Sequence, residues 1–256
     1  LVPILCLLLL MQACNTDKTE APVLDTEVEK EYELDLWETL LNNNRALELR
    51  VNTIKSLECS NYFIENTSSR KGNSIEINLG KPQKPGPCAP GTGVAKSNLN
   101  LGSISNGTYT FTVKLSQIVP STGRLVVSNG SYFLSMPTPI GFRILHNNLL
   151  RVPDNTIWGY IAYDPSISTT AAQFLRELVN VSQTPDLAKG YYGYFNLLES
   201  GEMELGGDKV ATDLPVQPIL RRFQVDDKDL EKLVQTYREK YGQALQIHLR
   251  NTGGKE

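Results

Sequence analysis

Few residues in this chain combine the types and spacing that chemistry needs. Histidine occurs only as His146 and His248, so imidazole general-base catalysis would have to use one of them. His248 alternates with Leu245, Ile247 and Leu249, which puts it on the polar face of a strand, while His146 sits in the linker-like Leu145-His146-Asn147-Asn148. Neither has a Ser, Cys or carboxylate constellation beside it, and both read as surface histidines. Ser68-Ser69-Arg70-Lys71 has Ser-x-x-Lys spacing. That chemistry needs the serine at a helix start, and here the tetrapeptide reads as a turn between two short strands. The acidic stretch Glu199-Ser200-Gly201-Glu202-Met203-Glu204-Leu205-Gly206-Gly207-Asp208 offers oxygen ligands without EF-hand spacing and reads as solvated turns. The sequence contains no phosphate-binding glycine loop, no HExxH and no Gly-x-Ser-x-Gly elbow. No cofactor or metal is expected.

The aromatic residues are more pointed. Trp158, Tyr160, Tyr163, Tyr191, Tyr192 and Tyr194 cluster in the second half of the chain. Tyr191 and Tyr192 are neighbours in one expected strand and must point to opposite faces. If exposed, Tyr191, Tyr192, Tyr194 and Trp158 form a stacking platform for sugar rings or a partner protein. If buried, they are packing between sheet and helices or between domains, and burial is the favoured alternative.

The chain opens on Leu1-Val2-Pro3-Ile4-Leu5-Cys6-Leu7-Leu8-Leu9-Leu10-Met11. An apolar run of this length is too short to cross a bilayer and has the length of a signal-peptide core. It lacks an initiator Met and a basic start, so the native protein is expected to begin a few residues earlier. Leu10-Met11-Gln12-Ala13-Cys14 resembles the lipobox of bacterial lipoproteins. The resemblance implies cleavage before Cys14 and acylation of Cys14, with several chains making the anchor stable at about 0.8 kcal/mol per buried CH2. Asn15-Thr16-Asp17-Lys18-Thr19-Glu20 is similar to the tether of Bacteroidota lipoproteins, which implies the outer membrane of a Gram-negative cell envelope. On this reading Cys6 leaves with residues 1–13 and Cys14 takes the lipid. Cys59 and Cys88 are then left as an even pair in an oxidising compartment. A disulfide between them, favoured over free thiols or a metal pair, would close a loop worth ~3 kcal/mol.

About 240 residues follow Cys14, enough for two ordinary domains. The formal net charge is −3 and the pI about 5.6, which gives no basic face for nucleic acid. Residues 14–44 read as anchor and tether, polar and without sustained period over 15–27.

From Leu47 a period of two sets in: Leu47, Leu49, Val51, then Cys59 to Ile64, then Ile75, Ile77 and Leu79, with turn residues between. The proline-rich stretch Gly80–Gly91 reads as a surface loop pinned by Cys88. Leu101-x-x-Ile104-x-x-Gly107-x-Tyr109-x-Phe111-x-Val113 is similar to the penultimate strand of immunoglobulin and fibronectin III sandwiches. That resemblance implies an Ig-like β-sandwich over 45–136, with Tyr109 bonded back to an upstream backbone group. Met136-Pro137-Thr138-Pro139 marks a boundary. Beyond it the pattern is strand 157–163, helix 171–181, strand 191–197, strand 219–225, a helix capped by Asp226 and ended by Gly242, and strand 245–249. That order predicts a ferredoxin-like βαββαβ domain over 140–252. The sequence therefore predicts an α+β two-domain protein, a β-sandwich followed by a ferredoxin-like domain. The expected role is non-catalytic binding or assembly with an envelope protein or glycan, and the alternative is an envelope hydrolase using carboxylates and tyrosines at the domain junction.

Overall fold

The computed structural model describes residues 28–41, 44–116, 120–206, 213–223 and 228–253. Residues 1–13, Cys14, the 15–27 stretch and Asp226 lie outside them. Ten strands form one sheet: β1 (Tyr32–Leu41), β2 (Asn44–Thr53), β3 (Phe63–Lys71), β4 (Ser74–Gln83), β5 (Lys96–Gly102), β6 (Gly107–Leu115), β7 (Ser121–Val127), β8 (Ser131–Ser135), β9 (Phe142–Ile144) and β10 (Asn148–Leu150). Their spatial order is β10-β8-β7-β6-β4-β3-β5-β2-β1-β9.

This sheet cannot lie flat. β9 sits on the outer edge of β1 and β10 on the outer edge of β8, yet only residues 145–147 separate them. A link that short spans at most roughly 14 Å, so the two edges must meet and the sheet must curl. Leu145 N donates to Leu34 O on one edge, and Leu134 N donates to Asn147 O on the other. The alternating residues inside the curl, among them Leu34, Leu36, Leu49, Phe111, Leu125 and Leu134, form a single buried cluster.

One inward position on β1 is charged. Glu38 is 2% exposed, and its carboxylate accepts from Arg45 Nη1 at 2.8 Å, Arg151 Nε at 2.9 Å and Tyr132 Oη at 3.0 Å. A buried carboxylate persists only with such donors, because losing its water is otherwise prohibitive.

The remaining elements are β11 (Thr156–Tyr163), α1 (Ser168–Asn180), β12 (Gly190–Tyr191), β13 (Phe195–Leu197), β14 (Met203–Leu205), β15 (Val216–Arg222), α2 (Lys228–Tyr241) and β16 (Leu245–Asn251). β15, β11 and β16 make an antiparallel three-stranded sheet. Ile157, Ile161, Ile219, Ile247 and Leu249 on one face pack against Phe174 and Leu178 of α1 and Leu230, Val234 and Tyr237 of α2. The small β12-β13-β14 sheet packs through Phe195 and Leu197 onto Leu40, Val152 and Trp158.

The expected two-domain α+β organisation is overturned at both ends. No two-sheet Ig-like sandwich forms over 45–136, because β2 to β8 all join the one curled sheet, with β4 parallel to β6. β1, from the stretch expected as tether, belongs to that sheet between β2 and β9, and β9 and β10 close it from beyond residue 136. No ferredoxin-like domain forms over 140–252 either. Its sheet has three strands, because 191–197 breaks into β12 and β13 about Gly193 and pairs with β14 instead. Ser68-Ser69-Arg70-Lys71 lies within β3 rather than in a turn. Both helices stand close to their predicted positions.

Candidate functional site

The inward residues of β1 leave Asp35 and Trp37 on its outer face. Register places Asp35 opposite Arg50 and Trp37 opposite Glu48 on β2, and on β5 places Asn98 opposite Arg50 and Asn100 opposite Glu48. Two adjacent rows therefore cross this face, Asp35–Arg50–Asn98 and Trp37–Glu48–Asn100.

The β12–β13 hairpin covers the β1 end of both rows. Tyr191 Oη donates to Asp35 Oδ2 at 2.7 Å. His146, from the link that closes the sheet, brings Nδ1 to 3.1 and 3.2 Å from the two Asp35 oxygens. Its ring stacks on Tyr191 with centroids 3.6 Å apart. Asp35 thus gathers side chains from two other elements. Tyr194 Oη accepts from Leu40 N at 3.4 Å, and its ring lies 4.6 Å from Trp37 and 5.0 Å from Trp158. The turn that permits this is Gly193, at φ +80°, where a Cβ would stand 3.2 Å from the Trp37 ring. Tyr192 points the other way, is buried, donates to Ala188 O at 2.9 Å and stacks on Phe195.

The four aromatic residues singled out from the sequence therefore share one seam. Trp158 and Tyr192 are buried there, and Tyr191 and Tyr194 are half-buried with their hydroxyls bonded inward. Their rings pack the curled sheet, the hairpin and β11 together rather than forming an open platform. His248, expected on a polar strand face, is exposed on β16 and stacks on Tyr160 across from it.

Burial pushes the Asp35 carboxyl above its usual range, against the opposing pull of Tyr191 and His146. Burial, then the charge of Asp35, pushes the Tyr191 hydroxyl up and keeps it a donor. Arg50 lays its guanidinium on Trp37, 3.3 Å from the ring centroid. Its Nε is sealed from solvent without a hydrogen-bond partner, and Glu48 stands 4.0 Å away. Burial works against the Arg50 charge and Glu48 supports it; a guanidinium keeps its proton regardless. The arrangement offers a histidine oriented through Nδ1 and a cation held flat beside open amides. Among the described residues no three His, Cys, Asp or Glu side chains converge as metal ligands.

Cys59 and Cys88 are joined in a disulfide. It fastens the proline-rich loop to residues 57–61, helped by Asn61 Nδ2 donating to Pro87 O, Ala89 N donating to Asn61 Oδ1 and Ser60 Oγ donating to Pro90 O.

Asp35, Trp37 and Arg50 escaped the sequence reading, and His146, read there as a surface histidine with no carboxylate beside it, meets Asp35 and Tyr191. Alternation over 32–40 could have placed Asp35 and Trp37 on one face, but nothing local links Asp35 to a histidine 111 residues away. No family model, no curated protein and no solved structure matches this chain.

Proposed function

We propose that this chain is an exported lipoprotein, held at the cell envelope through acylated Cys14, whose strand-rich body binds an envelope protein or glycan without catalysing a reaction. The observation that carries the reading is the Cys59–Cys88 disulfide. Such bonds persist in oxidising compartments, as expected behind the leader that Leu10–Cys14 resembles. The engagement of both Asp35 oxygens and of Glu38 with internal donors also favours binding over acid–base chemistry. Fractionation tests the export half. Expressed with its native start, the protein should sediment with membranes, leave them in detergent and carry an oxidised Cys59–Cys88 pair, while Cys14→Ala should be soluble. Recovery of both forms in the cytosol with free thiols would reject the reading.

One observation favours the second reading, an envelope hydrolase at the seam. Asp35 orients His146 through Nδ1 as a carboxylate orients a general base. Turnover of any member of an ester and glycoside panel by the purified protein, lost in His146→Ala, would establish it. The absence of turnover across the panel would leave binding in place.

A further inference from the structure

The Asp35–Arg50–Asn98 and Trp37–Glu48–Asn100 rows end differently at their two sides. At β1 they are walled by Tyr191, Tyr194 and His146; at β5 the amides of Asn98 and Asn100 are exposed. The result is a ledge with an aromatic wall and a polar floor. Its cation is unusual in what it lacks. Asp35, directly opposite Arg50, is taken by Tyr191 and His146, and Glu48 reaches only 4.0 Å from Nε. Arg50 is held in place by Trp37 with Glu48 as a charge partner beyond hydrogen-bond distance, and a half-buried guanidinium favours an oxyanion.

We infer that this ledge binds an acidic sugar, a uronic-type residue of a glycan, with its carboxylate on Arg50 and its ring hydroxyls on Glu48, Asn98 and Asn100. The inference rests on the glycan arm of the proposed function. A compact anion such as phosphate would bring its full negative charge up to Glu48 and is too small to reach Asn98 and Asn100 as well, and a neutral sugar would leave the guanidinium without a counter-charge. An acidic sugar supplies both the charge and the hydroxyl donors. Gly102 N donates to Asn100 Oδ1 at 2.7 Å, which fixes that amide and leaves its NH2 to donate outward. His146, 42% exposed and stacked on Tyr191, borders the same ledge. The floor carries no large exposed apolar side chain, the anchor a protein partner would need.

Calorimetric titration of the full chain tests this, with oligogalacturonate as probe against chitohexaose, inorganic phosphate and poly-glutamate. The expected result is oligogalacturonate binding that weakens with salt and exceeds each other probe at least tenfold. Arg50→Ala should weaken it more than tenfold, with Arg50→Lys retaining part, because a charge-assisted bidentate contact becomes a point charge or nothing. Asn98→Ala, at an exposed position that folding tolerates, should weaken it several-fold, while Thr110→Ala on the exposed face of β6 should not. Equal binding of poly-glutamate or phosphate would overturn the sugar assignment, as would equal chitohexaose binding. No binding of any probe, or binding unchanged in Asn98→Ala and Arg50→Lys, would overturn the site. Membrane anchoring of Cys14 is read separately, so failure here leaves the export reading standing.

Discussion

Asp35 and Glu38 sit three residues apart on β1 and hold opposite stakes. Glu38 faces the core with Arg45, Arg151 and Tyr132 as its donors. Removing it in Glu38→Ala takes from two arginines and a phenol the buried carboxylate they share, and we expect a loss of about 3–5 kcal/mol in urea unfolding. Asp35 faces outward into the seam, where burial raises its pKa. An acid whose folded value is raised contributes stability below its unfolded pKa and loses it as pH rises through the folded one. In a His146→Gln background, the stability of the Asp35 protein relative to Asp35→Asn should therefore improve as pH falls from neutral into the carboxylate range. Unfolding free energies measured across that range check the sign; a constant difference would refute it. At this scale the sequence was partly legible. Cys59 and Cys88 paired as expected, and Tyr109 Oη bonds back to Ser105 O at 2.9 Å as the strand pattern implied. The Asp35–His146–Tyr191 meeting was not legible, because it joins three residues that only the closed sheet brings together.

Among the elements, the two helices and most strands followed from periodicity, while their pairing did not. The Tyr109 bond is local and forms without an immunoglobulin sandwich around it. β1 was hidden by its own exception, an inward glutamate and an outward tryptophan in an otherwise alternating strand. The 191–197 stretch read as one strand because its tyrosines mask Gly193, whose positive φ turns the chain back. Gly193→Ala would put a Cβ against Trp37 in a backbone region that disfavours it, at a cost of roughly 1–3 kcal/mol. Faster hydrogen exchange in β12 and β13 than in β6 would locate that cost in the hairpin. Reduction of Cys59–Cys88 should lower stability by roughly 3 kcal/mol. It should also expose residues 84–91 to proteolysis before any strand of the curled sheet opens. Simultaneous cleavage throughout would show that the disulfide guards the whole fold instead.

The described residues make a curled ten-stranded sheet sealed by a three-residue link, with a small helical layer joined to it through an aromatic seam. Nothing in a single strand announces that closure, since it depends on β9 and β10 reaching opposite edges of a sheet that begins at residue 32. At this scale the proposal concerns the address at the start of the sequence, and the Cys59–Cys88 disulfide is the observation that supports it. Among the described residues no helix is long and apolar enough to cross a membrane. The most direct measurement is the intact mass of the protein expressed with its native start, beside Cys14→Ala. The expected product is a mature chain beginning at Cys14 with added acyl mass, and no such species from the variant. An unacylated chain cut elsewhere, or left uncut, would contradict it.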